Sequence, residues 1–135
     1  MVVLSQTAPR THGYPSRMER MAVIVLNWPP RDLHPNARPH FHARASAAKA
    51  YREAAYWIAK AAAQPHSHPS DGIPVRIDFY PPDRRKRDLD GMLSSIKAGI
   101  DGIADAYELN DYELNPVILS RRDPVRGGKI VVSLS

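Results

Sequence analysis

Between residues 90 and 107 the apolar side chains Leu93, Ile96, Ile100, Ile103 and Tyr107 recur at alternating spacings of three and four. Only a helix gathers that pattern into one stripe, and a stripe of this kind needs a surface to be buried against. Upstream the period changes. Val75, Ile77 and Phe79 alternate with Arg76, Asp78 and Tyr80, as in a half-buried strand. An earlier continuous run over 21–28 (MAVIVLNW), ended by Pro29 and Pro30, has the length and composition of a buried strand. The alanine-rich stretch 46–63 reads as another helix. It buries Tyr51, Ala54, Ala55, Ile58 and Ala62 and turns Lys49, Arg52, Glu53 and Lys60 to water or a partner. Two further strands are expected over 117–120 and 129–134, joined by a hairpin connection through Asp123-Pro124 and Gly127-Gly128. The order β-α-β-α-β-β predicts an α+β fold, a small mixed β-sheet packed against two main helices.

The 135 residues suit a single domain over 21–135. Residues 1–20 lack periodicity and read as a flexible N-terminal arm, with Met18 and Met21 as alternative starts. The net charge of +5 favours an acidic partner, nucleic acid first. Yet 7 of the 14 acidic residues fall between Asp88 and Glu113, where Lys97 is the sole cation. That concentration suggests a phosphate clamp built around a metal site. The absence of cysteine excludes disulfides and thiolate zinc sites and fits a reducing compartment. No apolar run approaches the ~20 residues of a membrane span, so a soluble, cytoplasmic protein is expected, with no membrane partner.

The chemistry-bearing segment is Pro82-Asp83-Arg84-Arg85-Lys86-Arg87-Asp88-Leu89-Asp90. Four consecutive cations suit phosphate, and two carboxylates spaced i, i+2 suit a hard divalent cation. Counting about 100° per residue from Asp90, Lys97 returns to the same helix face, within roughly 20°. There it could steady a phosphate's developing charge. A third acid, Asp111, follows the helix. The same residues admit plainer roles. The cations form a solvated loop, Asp88 compensates them, Asp90 caps the helix, and Lys97 pairs with Asp101 one turn on. His66 and His68 read as loop polarity, and Trp28 and Trp57 as core.

The segment 82–90 closely resembles the signature of the RusA family of Holliday junction resolvases. Asn27-Trp28-Pro29-Pro30, the stretch Ala47-Ala48-Lys49-Ala50-Tyr51-Arg52-Glu53, and Lys97-Ala98-Gly99-Ile100-Asp101-Gly102-Ile103 followed by Asn110-Asp111 extend the likeness over roughly 21–135. The resemblance implies a homodimeric endonuclease, of a kind often carried by phages and prophages. It would use Mg²⁺, with Mn²⁺ substituting, to cut opposed strands of a four-way DNA junction. Asp88, Asp90 and Asp111 match the family's metal-binding acids and Lys97 its essential lysine. Arg84, Arg85, Lys86 and Arg87, with Arg31, Arg38 and Arg44, would contact DNA. Three positions depart from the family pattern. Gly91 stands where an Asn is common, Lys97 lies seven residues after Asp90 instead of four, and Asn110 replaces the first acid of a D-D pair. A nuclease for other branched or flapped DNA, and a catalytically silent junction-binding module, remain the alternatives.

Overall fold

The computed structural model describes residues 22–38, 40–62 and 72–135. The expected arm over 1–20 and the His66–His68 loop lie outside them. Four strands and three helices follow in order: β1 (Ala22–Asn27), α1 (Phe41–Ala61), β2 (Ile73–Tyr80), α2 (Leu89–Ser95), α3 (Lys97–Tyr107), β3 (Leu114–Arg121) and β4 (Lys129–Leu134). Short 3₁₀ turns occupy Arg31–Leu33 and Asp111–Glu113. The fold is therefore α+β, as the alternation of periods predicts.

The sheet order is β1-β4-β2-β3, mixed because β3 runs parallel to β2 while β4 is antiparallel to both β1 and β2. Every second residue of β1, β4 and β2 faces the helices. Register stacks them in columns: Ala22, Leu134 and Val75; Ile24, Val132 and Ile77; Leu26, Ile130 and Phe79. All nine are buried. The hairpin expected between the last two strands does not form. β2 lies between β3 and β4, because β3 returns from a helical crossover to the outer edge of β2. The Gly127-Gly128 turn instead carries the chain past β2 to the far side, with Gly128 at φ 70°.

The alternation in β2 has one exception. Asp78 was expected in water, yet it is buried because Arg122 and Arg76 donate to its carboxylate at 2.8 and 3.3 Å and cover it.

α1 begins at Phe41, five residues before the expected start, where the His40 ring accepts a hydrogen bond from the His42 N–H. Its buried face is Tyr51, Ala55 and Ala59. Ala54 and Ile58, both expected in the core, are exposed. The reason is the partner helix. α3 presents Gly99 and Gly102, and a Cβ on Gly102 would come within 2.2 Å of the Arg52 carbonyl oxygen. Backbones that approach so closely leave room only for small residues at the crossing itself, while the Tyr51 ring passes beside Gly99 to donate to the Asn27 carbonyl.

The helix expected as one piece over 90–107 is two. Ile96, fully buried, leaves helical geometry (φ −105°, ψ 7°), while the Ser95 hydroxyl donates back to the Gly91 carbonyl. Such back-bonding competes with the regular ladder and bends helices. No helix among the described residues is long and apolar enough to cross a membrane.

Candidate nucleic-acid interface

The four cations of the basic loop are not equivalent. Asp83 organises two of them. Its carboxylate accepts from Arg87 at 2.8 Å, from the Arg85 side chain at 2.9 and 3.2 Å, and from the Arg85 backbone N–H at 3.0 Å. Those bonds, Arg87's foremost, hold the Asp83 carboxyl well below the usual carboxylate range. Arg87 also lies over the Trp28 ring, 5.4 Å from its centroid, and its carbonyl accepts from Arg121. Arg84 and Lys86 are exposed and have no ion-pair partner among the described residues. Two cations thus shape the loop and two project from it.

The other expected contacts divide in the same way. Arg31 and Arg38 are exposed. Arg44 is a brace, donating to the Ala37 and His34 carbonyls at 2.9 and 3.4 Å, which ties the 31–38 loop to the start of α1. Arg52 makes a two-pronged pair with Asp105 at 2.7 and 2.9 Å and links α1 to α3.

Asp88 is the N-cap residue of α2, without a side-chain cap bond, and Asp90 lies in the first turn, accepting from the Gly91 N–H. Both are exposed, and negative charge at this end of a helix is favourable. Asp88, not Asp90, takes the capping position, since the helix begins one residue pair earlier than a cap at Asp90 would place it.

Lys97 opens α3 and reaches two carboxylates, Asp101 one turn on and Asp111 at 2.8 Å. Asp111 returns because Glu108 adopts left-handed geometry (φ 56°), which ends α3 and folds the chain back. Burial opposes the ammonium's charge, but the hydrogen bonds to Asp101 and Asp111 outweigh it and raise the Lys97 pKa. Because the helix breaks at Ile96, angles counted from Asp90 do not carry through to Lys97, and its described partners are Asp101 and Asp111.

The resemblance requires Asp88, Asp90 and Asp111 to form one ligand set. Among the described residues no three His, Asp or Glu side chains come together as a group able to hold a metal ion. In this arrangement the three acids do not make a metal cage, and Lys97 is the cation that Asp111 meets.

Two grooves of about 540 Å³ each flank this region. One runs between α1 and the α2–α3 junction and is lined by Arg44, Lys49, Arg52, Lys97 and Asp101. The other opens under the basic loop, between Trp28, Arg31, Arg85, Lys86, Arg87 and Met92.

No protein-family model matches the chain. A protein of Xylella fastidiosa (strain Temecula1), described as uncharacterized, is 35% identical to it over 137 residues, spanning 98% of this chain and 88% of the relative. The two chains belong to one family.

Sequence reasoning missed Asp83 as the organiser of the loop and Arg121 as an extension of the basic surface. An acid two residues before one arginine and four before another is a legible signal for the first. For Arg121 the signal is absent, because only the parallel pairing of β3 with β2 brings it to the loop.

Proposed function

We propose that this chain is a nuclease for branched DNA, a RusA-like Holliday junction resolvase that acts as a symmetric dimer. The observation that carries the reading is the placement of two free cations, Arg84 and Lys86, on a loop that runs directly into the exposed acids Asp88 and Asp90. A phosphodiester approaching the cations is brought beside the acid-bearing turn, where the two carboxylates would repel it unless a divalent cation stood between them.

In hydrolysis a water oxygen attacks phosphorus, one bridging P–O bond breaks, and the departing oxygen takes up a proton. Arg84 and Lys86 would hold flanking phosphates by sequence-independent, salt-sensitive contacts. Lys97 would steady negative charge as it develops. The Mg²⁺ dependence in this proposal rests on the resemblance. Mg²⁺ is commonly held by one or two carboxylates completed by substrate phosphates and water, so the lack of a three-acid group among the described residues does not conflict with it. A site on each of two protomers matches opposed cuts at a two-fold junction.

A labelled four-way junction, a linear duplex and a splayed-arm duplex, each incubated with Mg²⁺, with Mn²⁺ or with chelator, test the reading. Paired nicks in the junction with divalent metal support it. Comparable cutting of all three substrates replaces it with a general nuclease. The Lys97–Asp111 pair gives one specific reason to keep the silent junction-binding module in view. Tight binding with no cutting under any condition would select that module.

A further inference from the structure

The groove beneath the basic loop has a composition that phosphate binding alone does not explain. Its rim carries Arg31, Arg85, Lys86 and Arg87, and among the described residues no carboxylate lines it. Its floor is apolar: Phe79 and Ile130 are fully buried, Met92 nearly so, and the half-buried Trp28 forms a wall. A duplex backbone riding over the loop would meet the cations and leave the floor unused. Its volume of about 540 Å³ falls within the roughly 300–1,000 Å³ of small-molecule pockets.

The wall is fixed in place. A Cβ on Gly128 would come 3.0 Å from both Trp28 and Pro82, so the turn before β4 packs directly on the tryptophan. Arg87 covers the Trp28 ring at 5.4 Å. A polar group faces the same space. The His34 Nδ1 accepts from the Asn36 N–H, which leaves the proton of the neutral ring on Nε2. His34 lines the groove, and its Nε2 lies 4.0 Å from where a Gly91 Cβ would stand, in the turn that holds Asp90. The glycine leaves that donor uncovered.

We propose that this groove receives one unstacked nucleotide of the DNA substrate. Its base would lie against Trp28 and Met92, its phosphate among the rim cations, and a base acceptor would face the His34 Nε2–H. The proposal deepens the branched-DNA reading and rests on it for the identity of the partner. Extruding a base costs least where the base is already unpaired, and a branch point supplies such bases while a continuous duplex does not. The pocket would therefore favour branched over linear DNA before any bond is cut.

The test uses Trp57→Phe protein, which leaves Trp28 as the single tryptophan of the chain's two. Trp28 emission is followed while a dye-labelled thymidine tetranucleotide, a four-way junction, a blunt duplex or inorganic phosphate is added, with dye anisotropy reporting binding independently. Saturable quenching of Trp28 by the tetranucleotide and the junction is expected, with little response to duplex or to phosphate. Arg31→Ala and Lys86→Ala, at exposed positions that leave the melting point in place, should each weaken tetranucleotide binding about tenfold. Binding by anisotropy with Trp28 silent would overturn the pocket, as would equal quenching by inorganic phosphate or no tetranucleotide binding at all. The two readings can fail separately. A chain that cuts junctions while Trp28 stays silent keeps its nuclease function and loses the pocket, whereas quenching without cutting does the reverse.

Discussion

A carboxylate that accepts from two guanidinium groups fixes where both point, and Asp83 does this for Arg85 and Arg87. Its depressed pKa has a consequence for stability. A group whose folded pKa is lowered contributes stability above its unfolded value, about 3.9 for Asp, and loses it as pH falls through the folded value. Asp83→Asn should therefore melt below the wild-type chain at pH 7, with a gap that closes as both are titrated below about pH 4, readable in paired thermal scans. Lys97 has the opposite sign. Its raised pKa contributes stability in full below about 10.4 and loses it as pH rises through the folded value. Lys97→Ala should lower the melting point by leaving Asp101 and Asp111 facing each other without a cation, and adding Asp111→Asn should restore part of the loss. In the nuclease reading the same single change lowers the single-turnover rate by about 10²–10³-fold. Melting and rate together separate an ion pair that only holds α3 to the following turn from one that also serves the reaction.

The contact between α1 and α3 depends on glycine. With the Arg52 carbonyl only 2.2 Å from a Cβ built on Gly102, a methyl group there must push the two helices apart. Gly102→Ala should destabilise the domain by about 1–3 kcal/mol, measured as a lower urea midpoint, although alanine is the better helix former. Gly91 is the contrasting case. Its Cβ would have no neighbour nearer than 4.0 Å, so Gly91→Ala should gain up to about 1 kcal/mol from helix propensity. What the sequence revealed and concealed follows from the same geometry. Val75, Ile77 and Phe79 were legible as a core face because period two is a local property. Tyr51 and Ala55 were legible for the same reason at period 3.6. Ile58 and Trp57, exposed by 37% and 63%, were misassigned because hydrophobicity does not reveal how close a partner helix will approach. The break at Ile96 escaped notice because the apolar stripe continues across it. The pairing of Lys97 with Asp111 depends on the reversal at Glu108, a non-glycine residue in a left-handed conformation that composition does not announce.

At the scale of the whole molecule, charge decides how DNA would be held. The resolvase reading calls for two protomers, so light scattering should give about twice the 15.1 kDa of one chain; a monomer with junction bound would favour the general nuclease. Salt dependence then distinguishes the cations. Each phosphate neutralised contributes about −0.9 to the slope of log K against log salt on duplex arms. Arg84 and Lys86 project with no ion-pair partner among the described residues, so each contact that either makes releases counterions without first breaking an internal bond. Arg84→Ala and Lys86→Ala should therefore each flatten the slope by about 0.9 per protomer and weaken binding at low salt, while leaving the melting point unchanged. Arg87 behaves differently because its guanidinium is held by Asp83 and lies on Trp28. Removing it also leaves Asp83 as a freer negative charge beside the DNA path. Arg87→Ala should lower the melting point and weaken binding at every salt concentration, with a smaller change in slope than at the two free positions. Equal slope changes at Arg84, Lys86 and Arg87, with no loss of stability at Arg87, would show that the four cations act as one undifferentiated patch and that the Asp83 network does not survive contact with DNA.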